Sequence, residues 1–174
     1  MNALETTPRT AEQADLLATL AAHRNFLRGT LRDLSDEQAA ATPTVSALCL
    51  GGLIKHVAYV EAGWARFIVE GAPGLGSQDQ TGYLEHEASF RMESGETVGS
   101  LLDAYAAVAS ETDELVAGLA DLDASHPLPQ APWFEPGAHW SARRAVLHII
   151  AETSQHAGHA DIIRESIDGA KTMG

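Results

Sequence analysis

Four residues near the C-terminus carry the types and the spacing that could do chemistry: His148, Glu152, His156 and His159. They lie in ARRAVLHIIAETSQHAGHADIIRESIDG, whose apolar periodicity predicts a long helix. At about 100° per residue, steps of four and three return to one side, so the four groups share roughly 80° of the circumference. Arg143, Asp161, Arg164, Glu165 and Asp168 fall on another side. The stripe runs beside Ile149, Ile162 and Ile163, on the side expected to face the core. Burying several titratable groups is costly unless something pairs them. A divalent cation would do so, because imidazole and carboxylate suit a borderline ion such as zinc. The competing reading is a set of hydrogen-bonded core histidines. His148, nearest the helix start, is the weakest member and could pack simply as an aromatic.

Four long helical patterns position this stripe. The first runs from about Thr10 to Leu34, followed by a short turn of helix that Ser35 caps. The second spans about Leu48 to Glu70 and stops at Gly71. The polar stretch from Gly74 to Gly95 reads as a long connection with one helical turn. The third helix begins at Gly95-Glu-Thr and reaches Leu119. A second connection, Asp121 to His139, carries Pro127, Pro129, Pro132 and Pro136 and cannot be helical throughout. Ser141 caps the fourth helix, which ends near Gly169. No strand pattern stands out. The expectation is an all-α four-helix bundle with two long connections, formed by a single domain over residues 1–174.

A bundle builds metal sites from inward side chains on facing helices, so the fourth helix needs a partner. His56 is the candidate. In GGLIKHVAYVEAGWARF it shares a face with Val60, Gly63, Trp64 and Phe67, while Lys55, Arg66 and Glu70 project elsewhere. His23 starts a polar run with Arg24. His86, His126 and His139 sit in connections, where exposure is the default.

The net charge of −13 argues against a nucleic-acid backbone or an anionic membrane as partner. Cys49 is the single cysteine, which rules out an internal disulfide and fits a reducing compartment. Its position at a helix start reads as a small buried hydrophobe rather than a nucleophile. The start MNALETTPRTAEQAD lacks the features of a signal peptide, and no apolar run approaches the roughly 20 residues of a membrane span. The cytoplasm is the expected compartment.

One histidine on the second helix and an [H/E]-x3-H pair on the fourth resemble the DinB superfamily. GGLIKHVAYVEAGWARF resembles its L-x-H-x3-x-E-x-x-W segment. HWSARRAVLHIIAETSQHAGHADIIRESIDG resembles the C-terminal signature of the actinobacterial mini-circle branch, related to mycothiol-dependent isomerases and thiol S-transferases. The resemblance implies up-down-down-up topology, a divalent metal held by three side chains, and a homodimer. Carried over residue by residue, it makes His56, Glu152 and His156 the metal ligands. Glu152 stands where three-histidine members have histidine, as in the isomerase branch. His159 stands where glutamine is usual and could be a catalytic base, a fourth ligand or an outer donor.

A three-ligand site leaves a coordination position open for water or a thiol. The implied function is a metal-dependent S-transferase joining a low-molecular-weight thiol, mycothiol first, to a small electrophile. Zinc is the first choice of metal and nickel the second. Arg144, one turn before His148, is the candidate contact for the thiol cofactor, and Trp64 and Phe67 for the apolar wall. The alternatives are a metal-dependent hydrolase and a non-catalytic metal- or ligand-binding protein.

Overall fold

The computed structural model describes residues 10–172. The described residues form six helices: α1 (Ala11–Gly29), α2 (Asp36–Ala40), α3 (Leu50–Glu70), α4 (Gln80–Ser89), α5 (Val98–Gly118) and α6 (Ala142–Asp168). A 3-10 turn covers Ala72–Leu75, and two short strands, β1 (Ser125–Pro127) and β2 (His139–Ser141), pair antiparallel. The four long helices form the expected all-α bundle, in which α6 packs on both α1 and α3, and α3 on α5.

Capping sets the helix starts. Thr10, Ser35 and Thr97 each accept from the backbone three residues on, and the side chain there returns the bond. Ser141 caps α6 through the Arg144 N–H. Cys49 is buried, and its Sγ takes the Gly52 N–H at 3.3 Å, so its role is a structural cap. At the other end of α3, Gly71 has φ 71°, a left-handed conformation that stops the helix.

Two layers of apolar side chains fill the bundle. One gathers Leu16, Leu17, Leu20, Trp64, Phe67, Val146 and Ile149. The other gathers Leu27, Leu31, Leu50, Leu53, Ile54, Tyr105 and Ile163. Buried in the same interior is an ion pair, Arg24 of α1 with Glu61 of α3. Arg24 Nη1 also reaches Asp113 of α5 at 2.8 Å.

The structure corrects four expectations. The segment read as a loop with one turn contains α4, ten residues long, because Asp79 Oδ1 accepts from the Thr81 and Gly82 N–H groups. The proline-rich connection, read as strand-free, is closed by the β1–β2 pairing. Arg164, placed with the charged residues on the side away from the stripe, is buried; its Nη1 donates to the Thr30 and Arg32 carbonyls just past the end of α1, at 2.7 and 2.8 Å. Ile162, expected to face the core, is 62% exposed. It lies at the margin of the stripe, roughly 80° from its centre by helical projection.

Candidate metal centre

His56 of α3 and Glu152 and His156 of α6 converge: one ligand atom from each lies within 4.8 Å of the others. Among the described residues this is the one such group of three or more histidine, cysteine, aspartate and glutamate side chains. Small side-chain adjustments would bring these atoms to the roughly 2 Å bonds of a divalent ion. His56 and His156 are buried and Glu152 is half-buried, so the group opens on the carboxylate side.

The donor set fits a metal chemically. His56 Nδ1 lies 2.9 Å from Ser89 Oγ. That hydroxyl donates its one proton to the His86 carbonyl at 2.5 Å, so it can only accept from His56. His56 Nδ1 therefore carries the proton, and the Nε2 lone pair is free for an ion. Burial pushes the His56 pKa down to about 3, with His156 and His86 adding to the effect against the pull of Glu152. A neutral imidazole is the form a metal needs. The hydrogen bond from His156, aided by the nearby histidines, holds the Glu152 carboxyl below its usual range.

Local packing fixes this geometry. A Cβ at Gly52 would sit 2.0 Å from the Phe90 carbonyl oxygen, so glycine there lets the end of α4 close on α3. The closure seats Ser89 on His56 Nδ1 and stacks Phe90 on the imidazole, centroids 3.7 Å apart. Neither Ser89 nor Phe90 stood out in the sequence, because a polar connection gives no periodicity to read.

The remaining predicted residues are placed around the trio. His159 Nδ1 lies 3.4 Å from His156 Nδ1, on the ring edge away from Glu152. His148 packs as an aromatic, with ring centroids 4.8 Å from Trp64 and 5.1 Å from Trp140. Its Nε2 is still 3.7 Å from Glu152 Oε1, and burial lowers its pKa. Trp64 stacks on Trp140 at 4.6 Å, and the exposed Arg144 guanidinium lies 4.6 Å above the far ring. Trp140 was missed, since its role follows from the strand pairing that carries it to α3.

The sequence model of the family described as mycothiol S-transferase matches residues 15–169. The chain belongs to the mycothiol S-transferase family. The match agrees with the DinB-like resemblance. No curated protein matches the chain. A solved structure of a conserved protein from Enterococcus faecalis is 15% identical, covers 90% of this chain and 97% of its own, and superposes with a TM-score of 0.61. At that identity the likeness speaks to the fold alone. Within the mycothiol S-transferase family, this chain presents a histidine–glutamate–histidine set compatible with a divalent ion.

The pH response of metal-free protein follows from His56. Unfolded, its imidazole takes a proton near 6.5; folded, only near 3. Between those values the unfolded chain binds the extra proton, so stability is full above about 6.5 and is lost as pH falls toward 3. The slope from this group is at most about 1.4 kcal/mol per pH unit. Glu152, with its depressed pKa, acts in the same direction in the carboxylate range. Urea melts at pH 7 and pH 5 should show a larger loss in the parent than in His56→Gln. Equal losses would mean that folded His56 protonates freely.

Proposed function

We propose that this protein is a divalent-metal-dependent S-transferase that joins a low-molecular-weight thiol, mycothiol or a close analogue, to a small electrophile. The observation that carries the proposal is the convergence of His56, Glu152 and His156 in a member of the mycothiol S-transferase family. These three residues would hold the ion, with zinc favoured by the nitrogen and oxygen donors. An ion bound there supplies the positive charge that keeps a thiol ionised near neutral pH.

The surrounding side chains have separate tasks. Ser89 fixes the His56 tautomer. His159, against His156 Nδ1, is better placed to orient that ligand than to reach a substrate, which favours the outer-donor role over the catalytic base. Arg144 has no ion pair among the described residues and is open to an anionic or hydroxyl-rich part of the thiol. Trp64 and Trp140 form an apolar wall against His148, whose Nε2 lies 3.7 Å from Glu152. With a haloaromatic electrophile, a C–S bond forms, the carbon–halogen bond breaks, halide leaves with the electron pair, and the thiol proton passes to solvent. Holding both partners side by side replaces a bimolecular encounter with a near-unimolecular step.

A homodimer belongs to the same proposal. Phe26 on α1 and Leu147 and Ile162 on α6 are exposed apolar side chains on two adjacent helices. A monomer mass in sedimentation at micromolar concentration would reject it. No described helix is long and apolar enough to cross a membrane; a reducing cytoplasm, where small thiols are kept reduced, is the proposed setting.

The test is a panel of thiols with metal-loaded protein and a haloaromatic, followed by conjugate formation. Thiol-dependent turnover is expected. Substrate consumption without any thiol would replace the reading with a hydrolase. Binding of metal with no turnover on any thiol would leave a binding protein.

A further inference from the structure

A cleft of about 310 Å³ lies beside the metal centre, between α3, the 3-10 turn, α4 and the loop carrying Trp133 and Phe134. We propose that it seats a flat aromatic or conjugated molecule of one or two rings, and that this molecule is the electrophile. Its role rests on the transferase reading above; the binding itself does not.

Composition points to the ligand class. Tyr59, Trp64, Tyr83, Trp133 and Phe134 all line the cleft, which is half of the ten phenylalanine, tyrosine and tryptophan residues in the chain. Trp133 is 73% and Tyr83 61% exposed, so two large rings stand at the rim with most of their surface uncovered. Rings on facing walls favour a planar guest, because stacked and edge-to-face contacts both need a π face. The volume is at the lower end of small-molecule sites.

Gly63 supplies the second argument. It sits inside α3, where glycine is less stable than alanine. Packing does not demand it: a Cβ there would meet only Leu75, at 4.0 Å. Gly74 is the contrast, since a Cβ there would lie 2.5 Å from the backbone of Arg66. Gly63 therefore leaves room in the cleft rather than closeness between segments.

The cleft also borders the metal centre through two neighbouring side chains. His86 lines it and meets His56 edge-on, centroids 5.1 Å apart. Trp64 lines it and touches His148. None of the three ligands lines the cleft, so a ring held there would meet the trio's neighbours His86 and Trp64.

The experiment is calorimetric titration of metal-free and metal-loaded protein with 2-naphthol and with its saturated analogue, decahydro-2-naphthol. We expect 2-naphthol to bind at least tenfold tighter, with affinities within threefold in the two protein forms. Gly63→Leu should weaken 2-naphthol at least tenfold by filling the cleft. Trp133→Ala, at an exposed position that leaves the fold intact, should weaken it at least fivefold and keeps the test sound should Gly63→Leu misfold. Equal affinity for the two compounds, or full affinity in Trp133→Ala, would overturn the cleft proposal. Failure of the transferase reading is separate. Selective 2-naphthol binding with no thiol turnover would remove the transferase and leave the cleft. Thiol turnover with an unchanged KM for a haloaromatic in both variants would remove the cleft and leave the transferase.

Discussion

His156→Ala is expected to lower divalent-metal affinity by more than about 100-fold while the helical circular dichroism stays at the parent level. The size of the effect follows from ligand count. Losing one of three protein donors removes a metal bond outright, whereas losing an outer partner typically costs 10–100-fold. His56→Ala and Glu152→Ala should behave like His156→Ala. Ser89→Ala should fall in the smaller range, because it frees the His56 tautomer without removing a donor. Equilibrium dialysis with elemental analysis reads all four. Parent-like metal content in the three ligand variants would show that the ion, if bound, sits elsewhere.

The second large effect is on folding. Arg24 and Glu61 are 4% and 0% exposed at their side chains, so each depends on the other for compensation. Arg24→Met leaves a buried carboxylate without its cation and should cost about 3–5 kcal/mol in urea unfolding. Glu61→Gln should cost less, since Asp113 still pairs Arg24. The double variant Arg24→Met with Glu61→Leu should recover most of the loss, because an apolar pair of similar volume avoids the desolvation of two charges. An Arg24→Met protein as stable as the parent would mean that Glu61 is solvated in the native state.

The polar trio was legible because helical periodicity is a strong signal over a long segment. His148, Glu152 and His156 repeat at four-residue steps, and His56 falls on the apolar face of its own helix. The shell around them was not legible. Ser89 and Phe90 reach His56 only because Gly52 admits the backbone after α4, a contact between segments 38 residues apart in the chain. Trp140 is delivered by a three-residue strand whose pairing no local pattern announces. Arg24 looked solvated beside His23. Yet it occupies the position between Leu20 and Leu27 in the buried series of α1, and its partner is fixed by tertiary packing. Ile162 shows the opposite error: an isoleucine near the stripe stays exposed when no described element covers that margin.

In the proposed function one ion per chain, held by His56, Glu152 and His156, supports thiol transfer. The most direct measurement is the rate of conjugate formation, at saturating thiol and haloaromatic, as divalent ion is titrated into metal-free protein. We expect no turnover at the start, a linear rise, and a break at one equivalent per chain. Full turnover before any ion is added, or a rate that never responds to the ion, would contradict it.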